Sequence, residues 1–190
     1  DNFKVEDNTE VYLEGGAYVK GQIVSKGVNN VKIRGRGILS GEDYKPRTHN
    51  HMIQIRNANN IEIEGITIIH SPRYMIATQG KHHYLHNIKM MGWWFSTDGI
   101  SAGENTLIEN CFFKVNDDAI KLYQKNTKVK NCVIWQIFTK TPSVTSISWI
   151  NIKANHPIRA HLKLGFKISK KTKIEWKIIY SRPAIIKIRI

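Results

Sequence analysis

The sequence predicts an all-β protein wound as a parallel β-helix, and three observations carry that prediction. Short segments alternate β-branched and polar residues with period two, so each turns one face inward and one outward. Helical 3.6 spacing is absent from residues 1–136. The segments recur with a period of about 20–25 residues, the range of solenoids whose units stack one on the next. Leucine-rich repeats share the period but need regular Leu positions and helical halves, and this chain has neither.

Taken in order, residues 11–24 (VYLEGGAYVKGQIV) read as an opening coil with a Gly-Gly turn. Asn29-Asn30-Val31-Lys32-Ile33 and Asn59-Asn60-Ile61-Glu62-Ile63 then start two further coils. A degenerate phrase follows at His82-His83-Tyr84-Leu85, and clearer ones at Asn105-Thr106-Leu107-Ile108 and Asn126-Thr127-Lys128-Val129. From Asn60 the steps read as 23, 22 and 21 residues. The longer step from Asn30 to Asn60 leaves room for an insertion around Tyr44–His51, rich in Pro, Arg and His. Beyond Gln136 the Asn-bounded period is lost. The chain therefore divides into a β-helix domain over 1–136 and a divergent basic segment over 137–190, an irregular final coil or a tail.

Stacking gives the corner residues a task. Asn tolerates the left-handed αL conformation and can bond to the Asn of the next coil, so Asn110 over Asn131 should form a ladder. Cys111 and Cys132 follow those asparagines and read as an inward stack of small thiols. A disulfide between them is geometrically possible, whereas a metal site needs more ligands than two cysteines.

Composition bounds the function. With 41% hydrophobic and 23% charged residues, the 190-residue chain reads as an ordinary globular protein. No run of about 18 apolar residues would span a membrane. The net charge of +14 is unevenly placed: residues 1–136 hold 17 Lys and Arg against 14 acids, and residues 137–190 hold 12 against 1. A basic segment of this kind suits anionic polymers, but no nucleic-acid-binding motif accompanies it, so no specific nucleic-acid partner is expected.

The acids stand out in one stretch, Trp93 to Tyr123, which holds Asp98 and the pair Asp117-Asp118. Aligning Asp98-Gly99-Ile100 with Asp118-Ala119-Ile120 sets Asp98 over Asp118 on adjacent coils, roughly 5 Å apart. Asp117 then stacks on Thr97. Like charges this close raise at least one pKa. Such carboxylates suit hydrolysis of a glycosidic bond by inversion, with an acid and a water-activating base some 6.5–9.5 Å apart. Two other uses remain open, a Ca²⁺ site and plain capping of coil turns. Around the acids, Arg73, Tyr74, Trp94, Lys121 and Tyr123 are candidate substrate contacts, Lys121 and Tyr123 pointing outward if Ile120 and Leu122 point inward. Of Trp93, Trp94 and Phe95, one or two should be buried because consecutive strand residues alternate faces. His82 and His83 read as turn or solvated histidines.

The order His70-Ser71-Pro72-Arg73-Tyr74, Thr97-Asp98-Gly99-Ile100, Asn110-Cys111-Phe112-Phe113 and Asp117-Asp118-Ala119-Ile120 resembles the polygalacturonase family, glycoside hydrolase family 28. Asn116 before the paired acids, and the short interval from Asp98 to Asp117, resemble more closely the sister family 49 of dextranases and isopullulanases. The resemblance covers roughly residues 8–136. It implies a right-handed, pectin-lyase-like parallel β-helix acting by inversion on a polysaccharide, with no cofactor or metal, as a monomer, in an extracellular or periplasmic place. It assigns Asp117 as general acid and Asp98 with Asp118 as the pair that activates water. The Gly-His-Gly and Arg-Ile-Lys phrases of polygalacturonases are missing, and Ser96 stands where Asn is usual. Two further readings compete with the hydrolase: a Ca²⁺-dependent β-helical lyase and a non-catalytic glycan-binding β-helix.

Overall fold

The computed structural model describes residues 1–137 and, further on, the backbone of Thr145–Ala154, Ala160–Leu162, Gly165–Ile168 and Ile174–Lys177. In chain order the strands are β1 (Asn2–Phe3), β2 (Glu10–Leu13), β3 (Tyr18–Lys20), β4 (Gln22–Lys26), β5 (Asn29–Gly35), β6 (Ile38–Ser40), β7 (Ile53–Glu64) and β8 (Thr67–Ile69). They continue with β9 (Tyr74–Lys81), β10 (Tyr84–His86), β11 (Lys89–Met91), β12 (Asp98–Ser101), β13 (Leu107–Glu109), β14 (Phe112–Lys114), β15 (Ile120–Leu122) and β16 (Thr127–Ile137). All pairings among these sixteen are parallel, and they sort into three sheets that the chain visits in rotation. This is the parallel β-helix expected from the repeat. No described helix is long and apolar enough to cross a membrane.

Register follows the apolar pattern. The first sheet stacks Val11, Ile33, Ile63, Leu85, Ile108 and Val129. The second stacks Val19, Leu39, Ile68, Met90, Phe113 and Ile134. The third stacks Phe3, Ile23, Ile53, Ile76, Ile100 and Ile120. Beyond the first coils these side chains are buried and form one continuous core. Each buried aliphatic side chain contributes about 1.5–3 kcal/mol, and a one-residue slip would turn every one of them outward. Register is thus strongly specified.

The corners are made by residues that accept positive φ. Asn8, Asn30, Asn60, His82, Asn105 and Asn126 share one corner, with φ between 53 and 60°. Their amides form a ladder along it: Asn30 donates to Asn8 at 2.9 Å, Asn60 to Asn30 at 3.0 Å and Asn126 to Asn105 at 2.8 Å. Asn110 and Asn131 hold the same conformation at the next corner, as the sequence predicts. Gly80 meets a harder constraint, since a Cβ there would lie 1.7 Å from the Ala58 carbonyl oxygen. Cys111 and Cys132 are free and buried, and their thiols donate to the carbonyls of Glu109 at 3.3 Å and Lys130 at 3.2 Å.

Two expectations are corrected. His82, not His83, takes the left-handed corner, so the coil steps from Asn60 are 22, 23 and 21 residues. The slip sends His83 inward, where it is 2% exposed with neither ring nitrogen partnered among the described residues. Burial, with the neighbouring His82 second, pulls its pKa down to about 4. His51 is held to about 4 as well, by burial and then Arg73, Arg56 and His49. Both groups bind a proton less readily folded than unfolded. Their contribution to stability is full above the ordinary value of 6.5 and is lost as pH falls toward 4. Asp98, raised to about 6 (below), works in the opposite direction between about 6 and 3.8. His83→Leu is therefore expected to reduce the loss of urea midpoint between pH 7.5 and pH 5. An unchanged loss would show that His83 does not titrate against the fold.

The second correction concerns Trp93, Trp94 and Phe95, none of which is buried. They lie on a turn rather than a strand, so strand alternation does not apply to them. Past Ile137, Thr145–Ala154 runs antiparallel along β16, Ala160–Leu162 antiparallel along β15, and Gly165–Ile168 antiparallel to Ile174–Lys177. The rest of the segment over 137–190, expected as a final coil or tail, lies outside the described residues.

Candidate active site

The third sheet begins, coil after coil, just past a turn that carries polar residues, and the acids sit where those turns stack. The step from Tyr74 to Asp98 and the pairing of Ile100 with Ile120 set Tyr74, Asp98 and Asp118 in one column over three coils. The main chain locks them. Asp98 donates its N–H to the Arg73 carbonyl at 3.0 Å, Asp117 to Thr97 at 3.0 Å, and Gly99 to Asp118 at 2.9 Å. Gly99 is required by this approach, because a Cβ there would meet the Ala119 carbonyl oxygen at 2.2 Å. Below, Thr97 Oγ1 donates to the Ser71 carbonyl at 3.1 Å, and Ser71 Oγ to that of Tyr74 at 2.7 Å. The Ser-Pro and Thr-Asp-Gly phrases brace each other.

The three carboxylates converge, with one oxygen of each within 4.8 Å of the others. That is tighter than the acid-to-base separation read from the sequence, because the turn at Asn116–Ala119 brings both paired acids to one side. Asp98 and Asp118 are nearly buried, at 4% and 7% exposure, while Asp117 is half-buried. Asp98 Oδ1 accepts the Asp118 N–H at 3.1 Å.

Lys121 enters the same space. Its Nζ lies 3.2 Å from Asp98 Oδ1 and 2.8 Å from Asp118 Oδ2, at 7% exposure. The side chain leaves the core as alternation predicts, yet it ends inside the acid cluster rather than in solvent. Its ammonium thus pairs with two of the three carboxylates that could together ligate a cation. Burial pushes the Asp98 carboxyl up to about 6; Lys121 pulls against it, and Asp117 and Asp118 add to the rise. Burial works against charge on Lys121 too, but the bond to Asp118 and the charge of Asp98 hold it well above its ordinary value.

Of the other candidates, Tyr74 and Tyr123 lie against Lys121, and Arg73 and Trp94 sit on bends that precede β9 and β12. Tyr74 stacks on the ring of His51, centroids 4.7 Å apart, and its N–H donates to His51 Nδ1 at 3.3 Å. Arg73 Nη1 lies 2.8 Å from His49 Nδ1. Tyr123 is half-buried with its ring centroid 5.9 Å from Lys121 Nζ. Trp94 is 43% exposed between Trp93, edge-on to His70 at 5.3 Å, and Phe95, under the Arg47 guanidinium at 4.5 Å. Sequence reasoning missed His49, His51 and Arg47. Their signal was the 30-residue step, whose insertion folds against this turn, Arg47 donating its N–H to the Pro72 carbonyl at 2.9 Å.

No protein-family model matches the chain. A dextranase of Arthrobacter globiformis is 30% identical over 154 residues, covering 66% of this chain and 24% of the relative. An isopullulanase of Aspergillus niger is 26% identical over 153 residues, covering 67% and 27%. The solved structure of Dex49A from Penicillium minioluteum superposes with a TM-score of 0.58 at 31% identity, over 67% of this chain and 26% of that one. The chain thus spans about a quarter of the length of the curated relatives it matches.

Proposed function

We propose that this chain, which belongs with the dextranases and isopullulanases as a family 49-type β-helix, hydrolyses the glycosidic bonds of a neutral α-glucan at its aspartate cluster. The observation that carries the reading is the convergence of Asp98, Asp117 and Asp118 within 4.8 Å, beside three exposed aromatics. In the proposed mechanism Asp117, the least buried of the three, donates a proton to the leaving oxygen. Asp98 and Asp118 together orient and deprotonate a water. Both bonds described for the Asp98 carboxylate fall on Oδ1, so Oδ2 is the oxygen proposed to hold the water. The acids are closer than the separation usual for inversion, so the proposed inversion rests on the carboxylate pair: held by one ammonium, it suits polarising a water better than attacking the sugar itself. Trp94 and its neighbours offer flat apolar faces for pyranose rings, and Arg73 a donor for hydroxyls. A polymer substrate too large to cross a membrane supports an extracellular or periplasmic place of work.

The test is reducing-end release from dextran and pullulan, with polygalacturonate alongside, with and without EDTA, and proton NMR of the first anomer formed. Expected are new reducing ends from one of the glucans, insensitive to chelator, and a β-anomer released from the α-linked chain. An α-anomer would replace inversion by a covalent intermediate. Chelator-sensitive cleavage with an ultraviolet-absorbing product would replace hydrolysis by a lyase reaction, and binding without cleavage would leave a glycan-binding module.

A further inference from the structure

We propose that Lys121 is the positioning residue of this cleft: its ammonium, clamped between two aromatic rings, fixes Asp98 and Asp118 as one unit and does not contact substrate. This deepens the hydrolase reading and rests on it for its catalytic consequence. Four partners meet one Nζ: Asp98 Oδ1 at 3.2 Å, Asp118 Oδ2 at 2.8 Å, and the ring centroids of Tyr74 at 5.2 Å and Tyr123 at 5.9 Å. A lysine at 7% exposure with its charge so engaged has neither the reach nor the spare donors expected of a sugar contact.

The partners come from three successive coils, which explains why one side chain can set the spacing between acids. Tyr74 lies on β9, Asp98 on β12, and Asp118, Lys121 and Tyr123 on or beside β15. Tyr74 is itself fixed from below by the stacked ring of His51. The insertion before β7 thereby supports the acids through His51, Tyr74 and Lys121 in turn. Without the ammonium, three carboxylates would face one another in a nearly dry site, and like charges so placed move apart or take up protons.

The groups facing Asp98 are Lys121, Asp117 and Asp118, with Tyr74 and Tyr123 lining the ammonium. Removing Lys121 leaves burial and the charges of Asp117 and Asp118 to raise the Asp98 carboxyl, opposed by the Asp118 N–H bond to its Oδ1. Two measurements on the full chain separate the possibilities. The first is a carbon-13 carboxyl titration of Asp98, which needs no turnover. The second is kcat and KM on dextran across pH. In the wild type the carboxyl, pushed up to about 6 by burial, is expected to titrate there, with the acid limb of kcat/KM following it. Lys121→Met is expected to move both upward by more than one pH unit and to lower kcat about 100-fold, as a small misplacement of catalytic groups does, with KM little changed. Lys121→Arg keeps the charge and should return the titration toward the wild-type position. If Lys121→Met does not fold, Tyr74→Leu and Tyr123→Leu loosen the clamp with the charge retained, and the titration should move in the same direction by less.

A rise in KM alone would make Lys121 a substrate contact and overturn the proposal. So would an Asp98 titration that neither Lys121→Met nor the clamp variants move. A wild type that titrates as expected but cleaves no glucan would sink the hydrolase reading and leave the positioning role standing.

Discussion

Under the proposed function, replacing Asp117 with Asn is expected to lower cleavage of the glucan substrate by about 10²–10⁴-fold, the range a positioned proton donor supplies. The substitution is nearly isosteric and keeps the backbone N–H bond to Thr97 at 3.0 Å, so the turn should survive. Asp117 is also the half-buried member of the cluster, so its replacement disturbs the Lys121 pairs less than a change at Asp98 or Asp118 would. A melting temperature close to wild type, with dextran cleavage nearly abolished, is the expected result. Unchanged cleavage would remove Asp117 from the mechanism.

Phe113→Ala should be the most damaging of the core truncations, costing about 3–5 kcal/mol. At 2–4 °C per kcal/mol for a chain of this size, the melting temperature should fall by about 6–20 °C. Phe113 is fully buried, with Met90 on one side and Ile134 on the other in the second-sheet column. Its ring also reaches the site, since a Cβ on Gly99 would lie 2.8 Å from its Cδ1. The same side chain thus fills the core and packs against Gly99, the residue after Asp98. Phe113→Leu keeps most of the volume and should cost less than about 1.5 kcal/mol. A shift for Phe113→Ala no larger than that for Phe113→Leu would mean that the interior closes over the gap and that the column is not close-packed there.

The coil was legible because its two determinants are local. Period-two alternation sets the inward face, and Asn at the corners supplies positive φ together with an amide that bonds to the next coil. Those rules fix register between neighbours, which is why Asp98 falls opposite Asp118 from counting alone. The same counting fails where no Asn marks the corner. At His82-His83 either histidine could turn, and the core decided, leaving His83 inside. Turns were the other weak point. Alternation predicts burial for one or two of Trp93, Trp94 and Phe95, but a turn has no such alternation, and all three are exposed. The tightness of the acid cluster and the capture of Lys121 were not readable, because both depend on how the Asn116–Ala119 turn bends. His51 lay in an insertion with no repeat partner, and its place under Tyr74 is a long-range contact.

The division of labour among the three aspartates is the central claim, and Asp98 offers the rival assignment, since its carboxyl, raised to about 6, would also suit a proton donor. Leaving-group dependence separates the two. A dinitrophenyl glycoside of an isomalto-oligosaccharide departs without protonation, so loss of the true acid hardly matters for it, whereas loss of the water-activating pair does. Measured on this substrate and on dextran, Asp117→Asn is predicted to retain near wild-type cleavage of the aryl glycoside while failing on dextran, and Asp98→Asn to fail on both. The reverse, with Asp98→Asn active on the aryl glycoside and Asp117→Asn inactive on both, would contradict the account.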